Sequence, residues 1–311
     1  MYQVLNSSRP ARARPALRLI DTRRLERARW LEVRKAGIGG SDAAAAVGLN
    51  PYKSQLELWL EKTGRDAGLE KPDPKDTTAP VYWGSLLEPI VAAAYTQQTG
   101  NRVRKVNAVL QSPSVPYMLA NIDREVVGAP DVQILECKTA GEFGAKLWKE
   151  GVPEYVQLQV QHQLAVTGKQ AADVAVLLCG QRLVVHRILR DEELIARLIE
   201  LEGRFWQYVE NDTPPPADGS ASAEKALRCL FPRDTGTVID FSSDRELSAV
   251  FADLQAIRSK MAALGEEEGK LKQRLQQAMG GASKAIFETG EASWKRTPAV
   301  RIVGTSTDVR V

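Results

Sequence analysis

The stretch NIDREVVGAPDVQILECKTA, residues 121–140, decides the predicted fold, because its pattern indicates two strands joined by a tight turn. Apolar runs lie on either side of "GAPD", and Gly, Pro and Asp are typical turn residues. With a tight turn over residues 128–131, antiparallel pairing sets Asp123 directly opposite Glu136. Side chains paired in this way lie roughly 5 Å apart, so we expect the two carboxylates to meet.

A lysine joins this predicted carboxylate pair. Residues two apart on a strand leave the same face, so Lys138 accompanies Glu136, whereas Cys137 points towards the core. Asp131 lies roughly 16 Å from Glu136 along an extended strand and on the opposite face, which makes it a turn residue. Unpaired acids repel each other unless a cation binds, and oxygen ligands favour Mg²⁺ or Mn²⁺. The alternative is a structural ion pair between Glu136 and Lys138 on an exposed strand.

The composition, 43% apolar and 26% charged, is typical of a soluble globular protein. A net charge of +3 neither requires nor excludes a nucleic-acid partner. The basic N-terminus lacks the apolar core of a secretory signal and no run is long enough to span a bilayer, so we expect a cytoplasmic protein without membrane contact. A disulfide framework and a zinc hydrolase are disfavoured by the small, scattered set of cysteines and histidines: Cys137, Cys179, Cys229, His162 and His186.

Turn and capping residues divide the chain into elements. Ser54 and Glu57 have capping-box spacing at the start of a helix that ends at Gly64, and Ser41 is expected to cap a short helix after a glycine turn. Further helices are predicted over residues 22–34, 84–99, 152–168 and 191–210, and strands over residues 101–111, 117–127, 132–138, 171–180 and 182–190.

We predict four regions from these signals. The clearest linker is "NDTPPPADGS", which is rich in turn residues. The regions are a flexible basic arm over residues 1–20, a core over residues 21–211, the linker at 212–222 and a C-terminal region at 223–311.

The C-terminal region changes character. From Leu247 to Leu275 its apolar residues fall at near-heptad spacing, which indicates a helix that packs either on its own domain or, as a hairpin or oligomer contact, on another helix. Gly265 and Gly269 could divide it in two. The tail AIFETGEASWKRTPAVRIV is predicted to form a small β-hairpin.

Four ordered motifs within about residues 28–210 resemble the YqaJ-like viral recombinase family, the phage λ-exonuclease type of PD-(D/E)xK nuclease. They are RKAGIGGSDAAAAVGLNPYKSQLELWLEKTG, WGSLLEPIVAAAYTQQTG, ANIDREVV…ILECKTA and YVQLQVQHQLAVTG. The resemblance implies a restriction-endonuclease-like α/β fold, in which a mixed β-sheet is flanked by helices, followed here by a C-terminal helical and β-hairpin extension.

The resemblance also implies roles for residues at the matching positions. The metal-binding positions are Glu88, Asp123, Glu136 and the main-chain carbonyl of Cys137; the catalytic positions add Lys138 and Gln159. RecB-type relatives often have Gln-x-x-x-Tyr in the last motif, and this chain has Gln163 at the tyrosine position, which leaves the role of Gln159 open.

Arg34 and Ser41 match the family's pocket for a DNA 5′-phosphate. Gly39 and Gly40 would let the backbone approach closely, Ser41 would cap a helix whose N-terminus favours an anion, and Arg34 could grip two phosphate oxygens. The alternative is an ordinary glycine turn followed by a helix cap.

These expectations together describe a Mg²⁺- or Mn²⁺-dependent exonuclease with two ions, digesting linear double-stranded DNA from 5′ to 3′. The resemblance further implies a ring-shaped trimer, and a 3′ tail handed to a single-strand annealing protein in phage-type recombination inside a bacterial host. The alternatives are an endonuclease or nickase on the same core, and a DNA-binding or annealing module without catalysis.

Overall fold

The computed structural model describes residues 16–70, 73, 75–294, 300–304 and 308–309. The chain divides into two compact units, Met1–Arg233 and Asp234–Val311. The helices are α1 (Arg27–Lys35), α2 (Ala43–Ala46), α3 (Gln55–Thr63), α4 (Pro80–Thr99), α5 (Glu142–Ala145), α6 (Glu154–Thr167), α7 (Glu192–Glu210), α8 (Ala221–Leu230) and α9 (Arg245–Met279). The strands are β1 (Leu17–Asp21), β2 (Arg102–Lys105), β3 (Ala108–Gln111), β4 (Leu119–Ala120), β5 (Arg124–Val127), β6 (Ile134–Ala140), β7 (Ala171–Leu178), β8 (Arg182–Leu189), β9 (Lys284–Phe287), β10 (Gly290–Trp294), β11 (Val300–Gly304) and β12 (Asp308–Val309).

The first unit is built on a five-stranded mixed sheet in the order β2-β5-β6-β7-β8. Only the central pair, β6 and β7, runs parallel; the other three pairs are antiparallel. A parallel pair needs a long crossover connection, and α6 supplies it. A smaller sheet in the order β1-β3-β4 lies in the same unit. The predicted α/β fold, a mixed sheet flanked by helices, is confirmed.

The register of β5 and β6 is the one that the tight turn predicted. Arg124 pairs with Leu135 and Glu125 with Ile134. One step further along this register, Asp123 stands opposite Glu136. The main-chain N–H of Cys137 donates a hydrogen bond of 2.8 Å to Asp123 Oδ2, which fixes the aspartate at the end of the strand pair.

Alternation along β6 sends its side chains to two different cores. Ile134 belongs to the apolar cluster that includes residues of α6, such as Val160. Leu135 and Cys137 belong to the cluster that includes Tyr95 of α4. Because β6 is covered on both faces, its apolar start is continuous, and Cys137 faces the core as expected.

Two long strand predictions were wrong in extent. Residues 101–111 form β2 and β3, which lie in different sheets, and residues 117–127 form β4 and β5, which are also in different sheets. In both cases the chain leaves one sheet and enters the other within a few residues. A pattern of apolar residues records burial, but it does not record which sheet a strand joins.

Helix ends follow the predictions with three exceptions, the first of which is α1, which begins at Arg27 and not at residue 22. Ser54 accepts a hydrogen bond from the main chain of Glu57, and Gly64 closes α3 in a left-handed conformation, both as predicted. Ser41 does not cap a helix: it lies inside a 3₁₀ turn, Gly40–Asp42, and is not an N-cap. Helix α4 begins at Pro80, earlier than predicted, since proline suits the first helical position.

The first unit extends beyond the region where the sequence predicts a linker. Helix α8 packs on α3, where Ser222 Oγ accepts a hydrogen bond of 2.8 Å from the main-chain N–H of Ser54. Residues 17–20, expected to belong to a flexible arm, form most of β1, which pairs with β3. The rest of that expected arm, residues 1–15, lies outside the described residues.

The second unit contains α9 and a four-stranded sheet in the order β12-β11-β10-β9. Helix α9 is one continuous helix, so Gly265 and Gly269 do not divide it. The predicted hairpin is present as the antiparallel pair β9 and β10. Among the residues that the structure describes, no helix is long and apolar enough to cross a membrane.

Candidate active site

Glu136 and Lys138, within β6, form a closed set of hydrogen bonds with Gln159 of α6. Lys138 Nζ donates to Glu136 Oε1 at 2.7 Å and to Gln159 Oε1 at 2.9 Å. Gln159 Nε2 donates to the same Glu136 oxygen at 2.6 Å. Burial alone would lower the pKa of Lys138, but the neighbouring Glu136 carboxylate outweighs burial and raises it. The lysine is therefore a protonated donor in this arrangement.

Asp123 adds a second carboxyl to this set. Burial and the charge of Glu136 raise the pKa of Asp123 to about 8, against the smaller opposing effects of the Cys137 N–H and Lys138. Glu88 contributes further repulsion. The surrounding groups therefore do not balance a negative charge on Asp123, and a bound cation would do so.

Glu88 lies near these acids but has a different partner. Its Oε1 accepts a hydrogen bond from Arg124 Nη1, and the same nitrogen donates 2.7 Å to the main-chain oxygen of Asp123. Arg124 is buried, and its cross-strand neighbour Leu135 packs on the side of the sheet that α4 covers. Arg124 therefore holds Glu88 beside, and not within, the set around Glu136.

The donor set fits a divalent cation in part. Asp123 and Glu136 are hard oxygen donors that face each other, as Mg²⁺ or Mn²⁺ requires. Over the described ranges, however, no three acidic, histidine or cysteine residues converge as a ready metal cluster. The hydrogen bonds explain this: Glu88 accepts from Arg124, and Lys138 and Gln159 both donate to one oxygen of Glu136.

Helix α6 supplies two amides to one carboxylate. Gln159 and Gln163 are one turn apart, so both face Glu136, and Gln163 Nε2 donates to Glu136 Oε2 at 2.8 Å. The other side-chain atom of that amide, Gln163 Oε1, is buried and has no protein partner in the described structure. Gln163 thus acts as a second amide donor to the same acid.

The predicted anion pocket is assembled around Arg34. Its Nη2 donates to Ser41 Oγ at 3.0 Å and to Asp42 Oδ1 at 2.8 Å. The guanidinium also lies 4.8 Å from the centre of the Trp30 ring. Arg34 and Ser41 are therefore brought together as expected, although Ser41 contributes its hydroxyl and not a helix cap.

A buried ion pair between Lys62 and Asp42 supports this pocket, and neither residue was predicted to have a role. Lys62 Nζ donates to Asp42 Oδ2 at 2.7 Å and to the main-chain oxygen of Arg34 at 2.9 Å. Burial alone would raise the pKa of Asp42, but the charges of Lys62 and Arg34 hold it well below its usual range. Asp42 stays ionised and fixes the arginine.

The anion pocket and the carboxylate set are joined through α6. A Cβ at Gly40 would lie 3.1 Å from Gln163 Cγ and 3.4 Å from the main-chain oxygen of Gln159. A larger residue here would press on Gln163, because the loop packs directly on the helix turn that carries both amides. The two clusters therefore form one continuous site.

The structure places the remaining predicted residues as follows. Asp131 lies outside the carboxylate set and pairs with Arg187 on the surface, as expected for a turn residue. Cys137 contributes its N–H to Asp123, and metal binding by its carbonyl stays a prediction. Arg124 could have been flagged from the sequence, because it shares a strand face with Val126, which is buried.

The fold and the site define an α/β protein of the restriction-endonuclease-like class. The crystal structure of an alkaline exonuclease, LHK-Exo, from Laribacter hongkongensis matches it with a TM-score of 0.50 and 24% identity, covering 60% of this chain and 93% of that one. A model of the YqaJ-like viral recombinase domain matches residues 29–170. The protein YqaJ of Bacillus subtilis (strain 168) is 35% identical over 284 residues, 89% of this chain and 86% of that protein. The chain belongs to the YqaJ-like viral recombinase family.

Proposed function

We propose that this protein is a divalent-metal-dependent exonuclease that digests linear double-stranded DNA. The observation that carries the proposal is the pairing of Asp123 and Glu136, with Lys138 on the same face, at the end of a buried strand pair. Buried like charges are costly unless they serve a cation. The similarity to the alkaline exonuclease LHK-Exo and the membership of a viral recombinase family support the same function.

Asp123 and Glu136 would hold the metal, with the Cys137 carbonyl, and Glu88 would join them after exchanging its contact with Arg124. We infer two Mg²⁺ or Mn²⁺ ions. Bound there, they supply an activated water and stabilise the charge that develops on the phosphate and the leaving oxygen.

The protein's own groups position the reactants. Lys138 would orient the attacking water or stabilise the phosphate through its ammonium, which Gln159 and Glu136 hold in place. Gln159 and Gln163 would hold the Glu136 carboxylate in its orientation, since each amide donates to one of its oxygens. Removal of either amide weakens that orientation without removing a ligand.

The pocket around Arg34 and Ser41 would bind the 5′-phosphate of a duplex end. Asp42 neutralises part of the arginine charge and fixes its position, while the remaining N–H groups of the guanidinium stay available for phosphate oxygens. An end-phosphate site serves little purpose in internal cutting, so it favours an exonuclease of 5′→3′ polarity over an endonuclease or nickase.

We further propose the setting that the family resemblance implies. The product would be a 3′ single-stranded tail for a single-strand annealing protein, and the enzyme would act as a trimer in the cytoplasm of a bacterial host. The description of the family as viral recombinases supports a place in phage-type recombination.

A panel of duplexes tests the proposal. With Mg²⁺, a linear 5′-phosphorylated duplex labelled at one end should be digested from its 5′ ends, a 5′-hydroxyl duplex more slowly, and a covalently closed circle not at all. Chelation by EDTA should stop all digestion. Brisk cutting of the closed circle would establish the endonuclease alternative instead, and binding without digestion would establish a non-catalytic module.

A further inference from the structure

Helix α9 carries a strict heptad pattern that the family match, residues 29–170, does not reach. One series of positions spaced seven apart is Leu247, Leu254, Met261, Glu268 and Leu275. The second series, three residues after the first, is Val250, Ile257, Leu264 and Leu271. These are the a and d positions of a left-handed coiled coil, and only Glu268 departs from apolar character.

Within the residues that the structure describes, packing does not explain the stability of this helix. It runs over Arg245–Met279, and none of its residues is buried within the described structure. Leu264 is 64% exposed and Ile257 is 53% exposed. Two interior glycines cost roughly 1 kcal/mol each relative to alanine. Helices in proteins gain most of their stability from packing an apolar face on another element, so this stripe requires a cover.

The flanking charges indicate what covers it. In a parallel, in-register pair, each g position faces the e position five residues later on the other helix. That rule pairs Asp253 with Arg258 and Glu267 with Lys272, both attractive. The stripe therefore has charge complementarity to an identical helix lying parallel to itself.

The antiparallel arrangement of two copies is disfavoured by the same charges. An antiparallel pair centred on Lys260 would place Lys260 of one copy against Lys260 of the other, and Asp253 against Glu267. Both contacts are repulsive. Glu268, the one charged residue in the seam, accepts a hydrogen-bonding contact of 2.7 Å from Lys272 on its own helix. A single polar a position of this kind specifies register.

We propose that α9 is a self-association element: the helices of two or more copies of this chain form a parallel, in-register coiled coil along the two series of heptad positions. The interface lies outside the nuclease site, so the proposal does not depend on the proposed activity.

Site-directed cross-linking of the full-length chain tests this interface. In a parallel in-register coiled coil, Leu264 meets its own copy across the seam. Leu264→Cys should therefore form a covalent dimer under mild oxidation, several-fold above the unsubstituted chain with its three native cysteines. The matched control is Glu266→Cys, on the outer face of the same turn, which should stay at that background. Equal cross-linking of the two variants would overturn the proposal.

Sedimentation equilibrium gives a second, independent readout. Ile257→Asp should weaken self-association on the order of a hundredfold, because it places a charge in the seam, while Ser259→Asp on the outer face should not.

Asp253→Arg and Arg258→Asp should each weaken self-association several-fold, and the double variant should recover it. Circular dichroism checks that helix content is retained. No change in association for Ile257→Asp, as expected if the chain's own first unit covers the stripe, would contradict the proposal.

Discussion

At the level of single residues, Asp123 holds a carboxyl whose charge the protein alone does not balance. Its pKa is raised to about 8 by burial and by Glu136, against a value near 4 in an unfolded chain. A raised carboxyl pKa favours the protonated, low-pH form. Its contribution to the free energy of unfolding is therefore complete below pH 4 and is lost as the pH rises through about 8.

Thermal unfolding in EDTA measures this effect. The midpoint for the wild-type chain should fall by several degrees between pH 6 and pH 9, and Asp123→Asn should fall less. The pKa of His162 is also raised, because Glu202 outweighs the effect of burial. The stabilising contribution of His162 is therefore likewise lost as the pH rises. The comparison with Asp123→Asn isolates the aspartate, since both proteins keep the histidine. Identical pH slopes for the two proteins would contradict the assignment.

Arg34 gives a residue-scale prediction for the anion pocket. Lysine keeps the charge, but it cannot contact Ser41 and Asp42 through one nitrogen while other nitrogens donate to phosphate oxygens, as a guanidinium can. Arg34→Lys should reduce the preference for 5′-phosphate over 5′-hydroxyl ends by roughly ten- to a hundredfold, the value of one or two charge-assisted hydrogen bonds. Arg29→Lys, on the exposed side of α1, should leave the ratio unchanged. If Arg34→Lys leaves the preference for 5′-phosphate over 5′-hydroxyl ends unchanged, the pocket does not recognise the end of the duplex.

Part of the site could be predicted at this scale and part could not. The pairing of Asp123 with Glu136 followed from a turn and a strand period, which are local rules. The burial of Lys62 did not, because its partner Asp42 comes from another element and no local pattern marks it. Arg124 lies between these cases: strand alternation could have placed it inside, but only the tertiary structure gives it Glu88 as a partner.

At the level of elements, Ser222 fastens α8 to the start of α3. Its hydroxyl donates to Glu57 Oε2, accepts from the main-chain N–H of Ser54 and lies 3.0 Å from Ser54 Oγ. In an isolated capping box, Glu57 would return to the Ser54 N–H itself. Here Ser222 of α8 stands between Glu57 and the Ser54 N–H. The sequence around the start of α3 does not indicate this contact.

Ser222→Ala should lower the free energy of unfolding by about 1–3 kcal/mol, since it leaves a half-buried main-chain donor and a carboxylate without their partner. Urea unfolding followed by circular dichroism measures the change. Ser85→Ala, an exposed serine in α4, is the control and should change stability by less than about 0.5 kcal/mol. A loss no greater than that control would show that α8 is held by apolar contacts alone.

The elements also show where a sequence pattern stops being informative. The turn after β5 fixed the register because a short connection allows few pairings. The strands before it were predicted as long runs, yet each divides between two sheets. Choice of sheet depends on contacts far apart in the chain, so propensity and alternation give strand positions but not strand partners.

At the level of the whole molecule, the proposed chemistry lies within the family-matched part of the chain. Residues 29–170 contain the acids, the lysine, the amides and the anion pocket. The unit Asp234–Val311 lies beyond that match and carries the helix that we assign to self-association. Catalysis and assembly are therefore expected to be separable by mutation.

We propose that Asp123, and not Asp131 of the neighbouring "PD", supports metal-dependent digestion. The decisive measurement is the rate of Mg²⁺-dependent digestion of a 5′-phosphorylated linear duplex by Asp123→Asn and by Asp131→Asn, both checked for folding and for DNA binding. We predict loss of digestion by at least about a thousandfold in Asp123→Asn, as for removal of an essential charged group, and a near wild-type rate in Asp131→Asn. Full activity in Asp123→Asn, or loss confined to Asp131→Asn, would contradict the account.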